Sequence, residues 1–196
     1  MKVNSEQLEA LRRLVIDLNV QWQMFEDLYS HDEHFAIFNR TGPMFWDHLR
    51  AYQLDTIFSS ISRFFDPAAN SSQENLSLAA VLNFAEVAAI RPDLAQRLKK
   101  LVPVWKRGIK IWRHKKLSHS DKETALGVVA LPDVPFLEIK ELIVGITDFV
   151  REIDHRLNQT DVGYHVSISQ WVPQVLSYLR AGIEKKDKDR TDFLAP

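Results

Sequence analysis

Apolar residues spaced three and four apart recur along most of this chain, and that rhythm confines it to packed α-helices. In the first segment Leu8, Leu11, Val15, Leu18, Trp22, Phe25 and Tyr29 alternate between those two spacings. On a helix they form one continuous stripe, which predicts a long amphipathic helix from about Ser5 to His31. Asn39-Arg-Thr-Gly42-Pro43 breaks the pattern, with Pro43 suited to the first turn of a new helix. Leu54, Ile57, Phe58, Ile61, Phe64 and Phe65 mark that second helix, which Asp66-Pro67 and the polar run Asn70–Glu74 end.

The pattern then predicts a third helix over about Leu76–Ile90 and a short fourth from Arg91 to Leu101. Pro103 is expected to open a new helix or kink the old one, and Val102, Trp105, Ile109 and Trp112 give the stripe of a further helix. Residues 122–135, with Gly127 and Leu131-Pro-Asp-Val-Pro135, read as an irregular connection with a short extended piece at 128–130. Ile139, Leu142, Ile143, Ile146, Phe149, Val150, Ile153 and Leu157 define another strong helix. A last one is expected over Ser167–Ile183, with Trp171, Val175, Tyr178 and Leu179 inward, followed by a charged, flexible tail at 184–196. No internal repeat and no alternating strand pair stand out. The fold class expected is all-α, a single-domain antiparallel helical bundle over residues 1–183.

Composition matters mainly through where the charge lies. Between Arg97 and Lys116 stand nine Lys or Arg and no Asp or Glu, leaving sixteen of the 25 basic residues to set against all 26 acidic ones. Such segregation is the footprint of a polyanion site, since Lys and Arg neutralise phosphates and release counterions; a solvated helix face gives the same pattern. Lys99, Lys106, Lys110 and Arg113 form a basic stripe one residue ahead of the tryptophan stripe, rotated by about 100°. Trp105 and Trp112 therefore read as core side chains, with stacking on nucleic-acid bases as the alternative. The chain has no cysteine, so disulfide and thiol chemistry are excluded. With no apolar leader and no run long enough to span a membrane, the expected setting is the cytoplasm, with no membrane partner.

No glycine-rich phosphate loop and no nucleophile elbow occur. Glu152 and His155 stand three apart on a predicted helix, but a dinuclear carboxylate site needs a second such pair and the chain has none. His31 and His34 flank Asp32-Glu33 near a helix end, where they read as terminal or exposed groups. No metal and no cofactor are expected. What remains is Arg113-His-Lys-Lys-Leu-Ser-His119-Ser-Asp121. Arginine offers a permanently charged planar fork suited to phosphate, and histidine exchanges a proton near neutrality. Together they supply what metal-free cleavage of an RNA phosphodiester requires: removal of the 2′-hydroxyl proton and stabilisation of charge on phosphorus. Six residues of ideal helix leave Arg113 and His119 about 120° apart, so they converge only if the helix loosens near Leu117-Ser118. The bland alternative is a helix end whose cations complement the dipole.

These residues resemble the Arg-x(4–6)-His signature of the HEPN superfamily (higher eukaryotes and prokaryotes nucleotide-binding), and most closely its abortive-infection AbiU-type branch. There the run reads roughly Arg-(Asp/Asn)-Lys-x-(Ile/Leu/Val)-Ala-His-x-Asp; here His114 takes the place of the short polar residue after the arginine. Ile61-Ser-Arg-Phe-Phe-Asp66-Pro67 is similar to the Ser-Arg-Leu-x-Asp motif that the branch carries on an earlier helix, and Ser77-Leu78 to its Ser-Leu start of the next. The resemblance covers roughly residues 5–160. It implies a helical bundle, commonly dimeric, of a class with many metal-independent ribonucleases of toxin–antitoxin or phage-defence systems, the Arg and His of two subunits facing one cleft.

Carried over, Arg113 would contact phosphate, His119 would transfer the proton, and Asp121 would complete the catalytic set. Arg63, Asp66 and His114 would be supporting groups. Lys106, Lys110, Lys115 and Lys116 are the expected RNA or phosphate contacts. Arg63 and Asp66, three apart, equally make a simple helix ion pair. The resemblance thus implies an RNA- or nucleotide-binding homodimer, with a protein antitoxin or toxin as possible partner. The alternative function is a non-catalytic helical binding or scaffold protein, antitoxin-like, in which the same residues hold a helix end and a contact surface.

Overall fold

Gly42 and Pro43 divide what would otherwise be one long helix. Gly42 has φ of +140°, a conformation that disfavours any side chain, and its N–H caps the preceding helix by donating to the Phe38 carbonyl at 3.1 Å. Pro43, whose missing N–H costs nothing in a first turn, opens the next. The computed structural model describes residues 5–70, 73–117, 121–159, 162–166 and 168–194. Among them the helices are α1 (Ser5–Tyr29), α2 (Asp32–Thr41), α3 (Pro43–Phe64), α4 (Leu78–Val81), α5 (Arg91–Arg107), α6 (Ile109–Trp112), α7 (Lys122–Ala125), α8 (Phe136–Ile153) and α9 (Trp171–Leu194). A 3₁₀ turn covers Ala85–Val87, and π-helical turns cover Arg113–Leu117 and Asp154–Asn158. No β-strand occurs among the described residues; the one β contact is an isolated bridge between Ala69 and Glu74. The fold is all-α, and no described helix is long and apolar enough to cross a membrane.

Two compact units emerge, Met1–Asn19 with Asp55–His165, and Val20–Leu54 with Val166–Pro196. In the first, Leu11, Val15 and Leu18 of α1, Ile57, Phe58, Ile61 and Phe64 of α3, and the full stripe from Ile139 to Ile153 of α8 are buried. Asn19 is a buried polar side chain that costs little, because it donates to the Val15 carbonyl (2.8 Å) and to Thr147 Oγ1 (2.9 Å). Asp154, with no exposed surface, accepts from Arg12 of α1 and from the hydroxyl of Tyr164. In the second unit α2 packs on α9, and Phe38 stacks on Trp46 with ring centres 4.2 Å apart.

Several sequence expectations are corrected here. The predicted third helix is broken: Ser77 accepts the Ala80 amide to start α4 at Leu78, but the helix stops after Val81, ahead of Asn83, whose side chain competes for backbone bonds. Pro103 opens no new helix, since α5 runs through it to Arg107 with Pro103 exposed. The helix breaks instead at Gly108, where a Cβ would meet a Val134 methyl at 3.0 Å; the connection at 131–135 presses there, and the Pro132 carbonyl accepts Trp112 Nε1 at 2.8 Å. No extended strand forms at 128–130. The region expected to separate the first two long helices contains α2. At the other end, α9 continues helically through the charged segment to Leu194 instead of ending near Ile183.

On α9 the inward face is rotated by one residue from the one expected. Ile168, Val172 and Leu176 are buried, whereas Trp171, Val175 and Tyr178 are 53%, 49% and 69% exposed. Both sets are apolar and both follow helical spacing, so periodicity by itself admits either face.

Where α5 packs along α8, Gly145 sits against Leu101, and a Cβ at position 145 would overlap a Leu101 methyl. Gly145→Ala is therefore expected to destabilise by about 1–3 kcal/mol despite its better helix propensity, because the overlap outweighs the roughly 1 kcal/mol that alanine gains. Chemical denaturation checks this; a more stable Gly145→Ala protein would show that α5 and α8 separate freely.

Candidate functional site

All described site residues lie in the first unit, where the last turn of α3 receives the basic segment. Beyond Phe64 the chain tightens through the Phe65 amide to Ser62 and the Asp66 amide to Arg63, then stops at Pro67. Asp55 and Ser62 on α3, with Asp66 in this turn, follow spacings of seven and four and so share one stripe. Each takes a partner from the basic segment. Trp105 Nε1 donates to Ser62 Oγ at 3.4 Å while its ring stacks on Phe65, centres 5.0 Å apart and 12° between planes. Lys116 Nζ lies 2.8 Å from Asp55 and over the Trp112 ring.

Arg113 makes the central contact. Its Nη1 donates to Asp66 Oδ1 and, at 3.4 Å, to the Ser62 carbonyl; its Nη2 donates to Asp66 Oδ2 at 3.3 Å. The guanidinium thus meets a carboxylate end-on and sits at the negative end of α3, where terminal carbonyls lack helical partners. The Arg113 side chain is 31% exposed, which leaves it reachable from solution.

The helix loosens at Arg113 itself, earlier than expected: α6 passes into the π-helical turn Arg113–Leu117. Downstream, the Asp121 amide donates to the Lys115 carbonyl at 3.2 Å, and Asp121 then caps α7, accepting the Thr124 amide (3.0 Å) and hydroxyl (2.8 Å). Those two bonds, the backbone one first, hold the Asp121 carboxyl below its usual range. It stays ionised near neutrality and is a poor proton acceptor, so its observed part is to shape the turn after the motif. His119 lies outside the described residues.

The remaining expected residues are placed as follows. Arg63 is exposed and takes no partner among the described residues, so the possible Arg63–Asp66 pair gives way to Arg113–Asp66. His114 is exposed. Of the nine basic residues, Arg97, Arg107, Arg113 and Lys116 pair with Glu152, Glu138, Asp66 and Asp55. Lys99, Lys100, Lys106, Lys110 and Lys115 take no carboxylate partner among the described residues, although Lys110 rests over the Trp105 ring at 5.4 Å. Trp105 is buried and Trp112 half-buried against Phe58, as core side chains.

The sequence assigns no role to Ser62 beyond its place in the Ile61–Pro67 motif and none to Asp55; their shared stripe on α3 was the further signal. As for metals, Glu152 is tied to Arg97 and Arg156, and no cluster of three His or carboxylates occurs among the described residues. His34 Nδ1 lies 3.2 Å from the Leu28 carbonyl at the end of α1.

The family model HEPN_AbiU2, described as AbiU2, matches residues 5–188. No curated protein and no solved structure matches the chain. The matched span takes in the α3 end, the basic helix and the Arg113 turn together, and the chain therefore belongs to the AbiU2 family of HEPN domains.

Proposed function

We propose that this protein binds RNA and cleaves it without a metal, acting as a homodimeric endoribonuclease in the cytoplasm, in a toxin–antitoxin or phage-defence setting. The observation that supports it best is Arg113 clamped by Asp66 and the Ser62 carbonyl at the end of a helix whose nearby lysines, Lys106, Lys110 and Lys115, make no carboxylate ion pair among the described residues. A fixed guanidinium beside uncompensated positive charge is what a phosphodiester in its transition state requires.

In this reading His119 accepts the proton of an RNA 2′-hydroxyl as its oxygen bonds to the adjacent phosphorus. The bond from phosphorus to the 5′-oxygen breaks, and that oxygen leaves with the proton that the protonated His119 gives up, which restores the neutral imidazole. The products are a 2′,3′-cyclic phosphate and a 5′-hydroxyl. Arg113 holds the phosphate oxygens as their charge grows, and Lys106, Lys110 and Lys115 bind the flanking backbone.

The deciding experiment is cleavage of a mixed RNA substrate in EDTA by the wild type and by His119→Ala, with the product ends analysed. Expected are cyclic phosphate ends from the wild type and a loss of about 10²–10⁴-fold in the variant. A folded wild type that cleaves nothing would sink the enzyme reading in favour of a binding or scaffold protein.

A further inference from the structure

Arginine has five N–H donors in a rigid fork, and how they are shared decides what else the side chain can hold. In Arg113 the two Nη1 hydrogens go to the Ser62 carbonyl and Asp66 Oδ1, and one Nη2 hydrogen goes to Asp66 Oδ2. The two donors left over, Nε–H and the second Nη2–H, lie parallel on the lateral edge of the guanidinium and take no acceptor among the described residues. That edge is itself a bidentate fork, matched to two oxygens of a phosphate.

From this division we infer that Asp66 is a positioning residue: it grips Arg113 end-on so that the lateral edge is presented, already oriented, to the two non-bridging oxygens of the scissile phosphate. This rests on the ribonuclease reading for its catalytic consequence, but the gripping and the phosphate contact do not require turnover. Two effects of Asp66 oppose each other. Its negative charge partly offsets Arg113 and weakens ground-state attraction for phosphate, while its two bonds remove the rotational freedom that the guanidinium would otherwise lose in the transition state. A lysine at 113 offers a point charge with no separate end and side, so it cannot serve both partners in this geometry.

The test combines kinetics with a spectroscopic readout. Asp66→Asn keeps one acceptor oxygen and removes the charge; kcat is expected to fall about 10- to 100-fold while KM stays level or falls. Thermal melting should change little, because Asp66 is partly exposed, and Asp66→Glu should recover part of kcat. A merely structural Asp66 would lower the melting temperature and leave kcat intact below it, which would overturn the inference. Should Asp66→Asn fail to fold, Asp66→Glu decides alone: full kcat with the carboxylate displaced by a methylene would count against positioning.

In parallel the Arg113 Nε–H resonance, assigned by its loss in Arg113→Lys, is followed by NMR as inorganic phosphate is added. A shift in the wild type that is absent in the Asp66 variant supports the inference. Equal shifts in both, or none in the wild type, overturn it. If the wild type cleaves no RNA, the enzyme reading fails by itself and the phosphate titration still decides the role of Asp66.

Discussion

Asp154→Ala is expected to lose about 3–5 kcal/mol of stability. Asp154 is fully buried, and its carboxylate accepts from Arg12 Nε at 3.0 Å on both oxygens, from Arg12 Nη2, from the Tyr164 hydroxyl and from Asn158 Nδ2 at 3.1 Å. Truncation leaves a guanidinium and a buried phenol facing an empty space. Arg12 keeps Glu9 at 3.2 Å and its side chain is 20% exposed, so the loss should fall toward the lower end of the range. Tyr164→Phe removes one donor and should cost only about 1–2 kcal/mol. Urea unfolding of the three proteins gives the ranking, and equal midpoints for wild type and Asp154→Ala would show the network to be energetically idle.

The same network sets a limit at high pH. Burial first, and then the bond to Asp154, hold the Tyr164 phenol above its ordinary value. A group whose pKa is raised in the folded state contributes stability that is complete below its unfolded value, about pH 10, and is lost as pH rises through the folded value. Arg12 is shifted further upward, so it adds no slope until the pH nears an ordinary arginine's value, and then in the same direction. Stability should therefore decline above about pH 10, and less steeply in Tyr164→Phe. Tyr29, which burial pushes up to about 12, declines in the same direction and remains in both proteins.

Arg113→Ala is expected to reduce RNA cleavage by about 10²–10³-fold, the effect of removing one fixed donor from a developing oxyanion. Its folding cost should be small, since Asp66 and Arg113 are 21% and 31% exposed and a pair that accessible contributes about 0–1 kcal/mol. The separation of the two effects is what makes the variant informative: a protein that melts normally and does not cleave places Arg113 at the chemistry. Lys106→Ala and Lys110→Ala should instead weaken RNA binding and lower the slope of log affinity against log salt by about 0.7–0.9 each. If Arg113→Ala cleaves at the wild-type rate, the residue is a helix-end clamp and nothing more.

How much of this was legible in the sequence depends on the distance over which each feature is encoded. Helix periodicity is a property of residues three and four apart, so the stripes of α1, α3 and α8, the start at Pro43 and the all-α class could be read directly. The segregation of nine cations between Arg97 and Lys116 is equally local, as are the Arg113–Asp121 run and the Ile61–Pro67 motif, and those two motifs carried the family resemblance that the match over residues 5–188 bears out. Tertiary packing decided the rest. Arg113 pairs with Asp66 across 47 residues and Arg12 with Asp154 across 142, because the fold brings each guanidinium to a carboxylate that it can grip with two bonds, fully buried in Asp154 and half-buried in Asp66. α5 ends at Gly108, where a side chain would press on Val134, whereas Pro103 does not end it, its ring lying on the exposed side. On α9 two apolar stripes competed, and tertiary packing took Val172 and Leu176 inward and left Trp171, Val175 and Tyr178 outside. A sequence states which faces can be buried; which one is buried depends on the shape of a partner surface assembled from residues far away along the chain.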